Sequence, residues 1–344
     1  METLRLDPKT DCAAVSKAAE IIKRGGLVAM PTETVYGLAA NACDEAAVKK
    51  IFEAKGRPQD NPLIVHIADF SALDELCTDI SDTARIIVRA FWPGPLTVIL
   101  KKRPVVPDIV TCGLDSVGVR FPSHKTAQAL IRASGLPLAA PSANASGRPS
   151  PTSAEHVLMD MDGRIDAVLN GGECEIGVES TVLNLTGSVP VILRPGGVTL
   201  EMIRKIAPDA KAADFNRVPS QGERVLSPGM KYRHYAPKAP VTLITGELPH
   251  VLRYIEEHSS GAHLGIMCFD ECADDFRALT PYIQTYGQRG DMLSQSSHIF
   301  SALRAFDAEP VEKIFVYATG DTHGLGMAIN NRLSKAAGFD IVNV

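Results

Sequence analysis

The chain has 344 residues, 45% hydrophobic and 22% charged, which fits one large or two medium domains with a sizeable core. Its formal net charge of −5 argues against a globally basic nucleic-acid binder while leaving room for a local basic face. No apolar run approaches the roughly 20 residues that span a bilayer. METLRLDPKTDC lacks a basic segment followed by an apolar core, so no secretory signal is expected and a cytoplasmic location is.

Residues 13–24, AAVSKAAEIIKR, predict an amphipathic helix that stops at Gly25-Gly26. LVAM follows as a short strand broken by Pro31, and Thr32, Glu33 and Thr34 turn toward Tyr36-Gly37. A helix begins at about Asp44 as N-cap, with Ala47, Val48, Ile51 and Phe52 at helical spacing. It ends at Lys55-Gly56-Arg57-Pro58, where Gly56 can take a left-handed cap and Pro58 prevents continuation. After Asn61-Pro62, LIVHI reads as a short buried strand carrying His66. Lys55 and Arg57 alone would read as a solvated helix end complementing the dipole. Beside the threonine turn and NPLIVHI they read as cations placed at element ends, where α/β proteins put ligands.

Residues 71–77 and 83–91 predict helices, the second ending at FWPGP, where Trp92 is expected to pack structurally. LTVILKK (96–102) is a strand, and TCGLDSVGVRFP is a glycine- and hydroxyl-rich loop carrying Ser116 that runs into the strand VGVRF with Arg120. Residues 125–134 are helical and LPLAA (136–140) is a buried strand. PSANASGRPSPT (141–152) is too rich in proline, serine and glycine for regular structure, and at a strand's C-terminal end it suits a ligand loop. A helix over 153–159, a strand near AVLNGG, the turn GVEST (177–181), and the strands TVLNL and VILRPGG (191–197) follow. The helix TLEMIRKIA then closes a first domain over 1–207.

Periodicity is lost over 208–240, a segment that contains the basic, aromatic run SPGMKYRHYAPKAP. A passive linker is the default for such composition, but Lys231, Tyr232, Arg233, His234 and Tyr235 together suit a lid over a ligand. Beyond it, over 241–344, VTLITG, HVLRYIEEH, LGIMCF, a helix around 292–306, KIFVYATG and a helix near 327–337 alternate as strands and helices, which implies a small, mostly parallel sheet. The GLG at 324–326 lacks the third glycine of a dinucleotide fingerprint and does not clearly follow a strand–helix turn. The seven cysteines have no regular spacing; Cys268 and Cys272 are four apart, but no second pair completes a zinc pattern, so no protein metal site is expected.

GxxxxGK[ST], HExxH and GxSxG are all missing, and no cysteine sits in a nucleophile setting. Lys55, Arg57, Arg120, Arg148 and Arg194 instead offer several places for anionic oxygen. Ser142, Asn144 and Ser150 add neutral donors, and GVEST adds the backbone N–H groups of a glycine turn. Glu33, Glu173, Glu175 and Glu179 read as caps or solvated groups. The chemistry that fits is positioning and charge neutralisation rather than covalent catalysis.

PTETVYGL, KGRPQDNPLIVHI, FWPGPLT, VGVRFP, APSANASGRPSPT, GVEST and LRPGG, in that order, resemble the threonylcarbamoyl-AMP synthase family with its YrdC-like domain. Lys55 and Arg57 stand at the family's K-x-R signature and Ser142 and Asn144 at its S-x-N signature, while SPGMKYRHYAP and the trailing α/β region resemble its two-domain form. The resemblance implies an α/β architecture: a YrdC-like twisted open mixed sheet with helices, a linker or lid over 208–240, and a smaller C-terminal Rossmann-like α/β domain over 241–344. It implies formation of threonylcarbamoyl-adenylate and pyrophosphate from L-threonine, bicarbonate and ATP, for threonylcarbamoyladenosine in tRNA. Mg2+ would come with the ATP.

By the same resemblance, Thr34, His66, Arg120, Ala140 and Ser180 hold threonine. Lys55, Arg57, Asn61, Ser116, Ser142, Asn144, Ser150, Arg194, His234 and Tyr235 surround ATP, with Lys55 and Arg57 the catalytic cations. The partners implied are the downstream tRNA threonylcarbamoyl-transfer machinery and a weak RNA contact, with no membrane. Two alternatives stay open: a carbamoyl-adenylate-forming enzyme that uses carbamoyl phosphate, and an RNA-binding module.

Overall fold

The structure is a computed structural model that describes residues 2–215, 226, 234–259 and 263–344. The expected lid is covered only in part, because Lys231, Tyr232 and Arg233 lie outside the described residues. By their contacts the residues form two compact units. One is drawn from Met1–Ser146, Ser150–Glu175 and Glu179–Lys231, the other from Gly147–Pro149, Ile176–Val178 and Tyr232–Val344.

The first unit holds, in chain order, β1 (Leu4–Leu6), α1 (Ala14–Lys23), β2 (Val28–Met30), β3 (Gly37–Asn41), α2 (Glu45–Lys55), β4 (Ile64–His66), α3 (Ser71–Leu76), β5 (Cys77–Thr78), α4 (Asp82–Phe91) and β6 (Leu96–Lys102). It continues with α5 (Asp108–Thr111), β7 (Ser116–Arg120), α6 (Lys125–Ser134), β8 (Leu138–Ala139), α7 (Ala154–Met161), β9 (Ala167–Leu169), β10 (Thr181–Asn184), β11 (Val191–Arg194), α8 (Leu200–Arg204) and β12 (Lys211–Ala212). Its strands form one mixed sheet in the order β1-β9-β2-β3-β8-β4-β7-β6-β10-β11-β12, with β5 beside β6.

Local sequence builds the elements that carry the site. The Asp44 carboxylate accepts from Ala46 N at 2.9 Å and Ala47 N at 3.2 Å, which caps α2. Gly56 ends α2 in the left-handed conformation at φ 60°. Ala47, Ile51 and Lys55 recur every fourth residue on its buried face, so the helix that packs the core also carries a lysine inward. Ser116 differs from expectation: it begins β7 rather than lying in the preceding loop. The strand β3, buried over Gly37–Ala40, was not anticipated either. Its pairing with β2 and β8 arises from distant segments rather than from a local pattern.

The second unit holds β13 (Val241–Thr245), α9 (Leu248–His258), β14 (Leu264–Cys268), α10 (Ala273–Phe276), β15 (Tyr282–Thr285), α11 (Met292–Ala305), β16 (Lys313–Tyr317), α12 (Gly324–Ala336) and β17 (Ile341–Asn343). Its sheet runs β15-β14-β16-β13-β17, and every pair is parallel. Such a sheet needs apolar cover on both faces, and Phe300, Phe306, Phe315 and Phe276 are correspondingly buried. Gly324-Leu325-Gly326 does follow a strand and opens a helix, since α12 starts there after β16, which corrects its expected placement. Cys268 and Cys272 are free and buried. Among the described residues no helix is long and apolar enough to cross a membrane.

Candidate active site

The site of the first unit is assembled from adjacent strand ends. In the register of β4 and β7, His66 lies beside Arg120, and on the other side of β7 Arg120 lies opposite Thr97 of β6. Thr97 Oγ1 is 2.8 Å from Ser180 Oγ. Arg194 donates to the Ser180 carbonyl at 3.0 Å and to its hydroxyl at 3.1 Å. His66, Arg120, Thr97, Ser180 and Arg194 therefore form a buried polar row across four strands. The close packing behind it needs Gly196, where a Cβ would stand 2.3 Å from Thr181 N.

The threonine turn adds a second side. Thr32 Oγ1 donates to Val35 O at 2.6 Å, and the Thr32 and Thr34 hydroxyls are 2.9 Å apart. Thr32 has spent its one proton on Val35, so Thr34 is the donor in that pair and keeps lone pairs to accept with. Between them, Glu33 is buried and its carboxylate lies 2.8 Å from Arg120 Nη2. Burial opposes its charge, but the Arg120 cation wins and holds the Glu33 carboxyl below the usual carboxylate range.

His66 is also buried, with Nδ1 3.2 Å from Ile64 O. Burial, helped by the neighbouring Arg120, pushes the imidazole down to about 3. An unfolded histidine takes up its proton near 6.5, whereas folded His66 does so only near 3. Its contribution to stability is therefore complete above pH 6.5 and is lost as pH falls, at up to about 1.4 kcal/mol per pH unit. Glu33 adds its own loss only below its ordinary value of 4.5. Urea denaturation between pH 6.5 and 4.5 should show the His66 slope in the native chain and a flatter one in His66→Gln; equal slopes would contradict this account.

The S-x-N loop closes the third side. Ala143 N donates to Tyr36 O at 2.8 Å, and Leu38 N donates to Pro141 O at 2.7 Å, which zips the loop onto the strand after the threonine turn. The buried Lys55 ammonium donates to Ser142 O and Asn144 O, both at 2.5 Å. Arg57 donates to Asn61 O at 3.1 Å. Ser150 donates to the buried Glu179 carboxylate at 2.5 Å. The Ala140 backbone N–H donates to Ile64 O at 2.9 Å, fixing the loop's entry beside β4.

Not every expected residue joins this arrangement. Ser116 shares a face of β7 with Arg120 but sits four residues away, about 13 Å along the strand, where it lines a separate surface cavity with Asp79, Lys101 and Asp115. Arg148, expected among the anion-binding cations, instead pairs with Asp307 inside the second unit. His234 and Tyr235 belong to the second unit too; the Tyr235 ring is 5.1 Å from Phe300 and 5.7 Å from the Arg332 guanidinium. Glu33 and Glu179 are buried rather than capping or solvated, whereas Glu173 and Glu175 are exposed. Thr97 went unnoticed because only the β6–β7 register shows where it points.

Comparison with known proteins places these features in a family. Residues 20–196 match the family model described as "Telomere recombination", and residues 198–338 match "Threonylcarbamoyl-AMP synthase, C-terminal domain". The chain is 46% identical to the threonylcarbamoyl-AMP synthase of Bacillus subtilis, over 97% of this chain and 95% of the relative. It is 38% identical to that of Schizosaccharomyces pombe, over 96% and 90%. The crystal structure of P. abyssi Sua5 complexed with L-threonine superposes with a TM-score of 0.91 and 43% identity, covering 100% of both chains. The chain belongs to the threonylcarbamoyl-AMP synthase family, in its two-domain form.

Proposed function

We propose that the chain is an L-threonylcarbamoyladenylate synthase: it joins L-threonine, bicarbonate and ATP into threonylcarbamoyl-AMP and releases pyrophosphate. The observation that supports this best is the buried row of His66, Arg120, Thr97, Ser180 and Arg194, in a unit that also holds the Lys55-bound S-x-N loop and in a chain matched over 97% of its length by a synthase. In this reading Arg120 takes the substrate carboxylate with its planar fork. Thr34, neutral His66, the Ala140 backbone and Ser180 surround the rest of threonine. Lys55, Arg57, Asn61, Ser142, Asn144, Ser150 and Arg194 surround ATP. Ser116, and His234 and Tyr235 of the second unit, complete the proposed set.

The threonine ammonium gives up a proton to solvent, and the free amine condenses with bicarbonate to a carbamate, releasing water. A carbamate oxygen then forms the bond to the α-phosphorus as the bond to pyrophosphate breaks. Holding the two reactants in line supplies about 7–11 kcal/mol of effective concentration, and burial keeps the labile carbamate from water. Lys55 is suited to the charge that develops on the phosphate, because its buried ammonium is already positioned by the Ser142 and Asn144 carbonyls. No cluster of three or more metal-ligating side chains occurs among the described residues. Magnesium would enter with ATP, as the counter-ion of its triphosphate. The product is an activated carbamoyl donor, which suits transfer to tRNA by a partner enzyme, with at most a weak RNA contact by this chain.

Isotope tracing tests the reading. A nucleotide product that carries both the carbon of labelled bicarbonate and the nitrogen of labelled threonine is expected, and a product carrying only one label would contradict it.

A further inference from the structure

Arg120 and Glu33 are buried together, their side chains 5% and 4% exposed, with Nη2 and Oε1 2.8 Å apart. At that distance the charges attract, although the two groups are not aligned for a well-formed hydrogen bond. Arg120 Nε and Nη2 and both Glu33 carboxylate oxygens have no hydrogen-bond partner among the described residues. Backbone N–H groups of Glu33 and Ser123 lie near enough to favour the ionised carboxylate without satisfying it. Nε and Nη2 are the two donors on one edge of the guanidinium, the edge that grips a carboxylate bidentately. A buried ion pair that served only neutrality would need its hydrogen bonds closed to offset desolvation, and orphaned buried polar groups are costly. Here two donors and two acceptors are left in one place.

We propose that Glu33 is a substrate-binding residue that takes the α-ammonium of the amino acid whose α-carboxylate Arg120 takes. This rests on the reading of Arg120 as part of the threonine site. An α-amino acid carries its ammonium and carboxylate on one carbon, so both can engage a carboxylate and a guanidinium this close. The four charges then alternate in sign and sum to zero, which is how charge is best accommodated away from water. Neighbouring Thr34 holds its hydroxyl at the same turn, so one short segment presents both groups. Glu33 orients the amine; as a carboxylate held in its ionised form by Arg120, it is a weak base.

The test compares L-threonine with its 2-hydroxy analogue, 2,3-dihydroxybutanoate, which keeps the carboxylate and lacks the ammonium. Calorimetric binding to the full chain should favour threonine by about 10–100-fold, the range of a charge-assisted hydrogen bond. Glu33→Gln should reduce that preference to within a few-fold. Glu33→Asp, which keeps the charge but withdraws it by one methylene, should reduce it part of the way and covers the case in which Glu33→Gln does not fold. A merely structural Glu33 would weaken both ligands alike and leave their ratio unchanged, and an unchanged ratio in the folded variants overturns the proposal, as does a native chain with no preference. Failure of the underlying reading looks different: Arg120→Gln would then leave threonine affinity unaltered.

Discussion

Lys55→Ala is expected to lower kcat/KM for adenylate formation by about 10²–10³-fold, the loss that follows removal of one preorganised charge at a developing oxyanion. Three features of the native side chain support so large an effect. It is buried, so its charge acts with little screening. Its position on the inward face of α2 is set by a capped helix packed into the core. Its ammonium is held 2.5 Å from each of two backbone carbonyls, so no reorganisation is needed when phosphate charge develops. The same bonds tie down the S-x-N loop, and Lys55→Met, which keeps the packing stem, should lose nearly as much activity with a smaller change in melting temperature. Steady-state pyrophosphate release on both variants checks this, and an unchanged kcat/KM in Lys55→Ala would remove the lysine from the chemistry.

Arg120→Gln carries the largest expected effect on stability. It leaves the Glu33 carboxylate buried without its cation, a change that costs about 3–5 kcal/mol when one member of a buried pair is deleted. Both side chains are at least 95% buried, so solvent screening does not rescue the survivor. The double variant Arg120→Gln/Glu33→Gln removes both charges and should regain most of that stability in urea denaturation while still failing to bind threonine. If the double variant is no more stable than the single one, the pair is not the source of the loss.

These two residues also show how far the sequence could be read. Lys55 and Arg120 stand in recognisable motifs, and the helix that carries Lys55 and the helix that follows Arg120 have locally encoded ends: Asp44 and Gly56 cap α2, and α6 spans the whole of its periodic segment, Lys125–Ser134. What the sequence did not disclose depends on partners far along the chain. Glu33 is a polar residue in a turn, and nothing local says that Arg120 will bury it. Arg148 resembles its fellow arginines until Asp307 claims it. Thr97 faces the site only because β6 pairs with β7 in one register and not its neighbour, since a shift of one residue turns every side chain to the other face. Strands β5 and β12 are two residues each, too short to carry any pattern. Motifs thus marked the candidate residues, while burial and register decided which charges among them are paired.

The central claim is that phosphate chemistry on ATP is coupled to an amino acid and bicarbonate together. It is tested most directly by pyrophosphate release from ATP, with L-threonine and bicarbonate supplied singly, together, or replaced by carbamoyl phosphate. The account predicts release only when both threonine and bicarbonate are present. Release with carbamoyl phosphate alone, or no release from the folded chain under any condition, would contradict it.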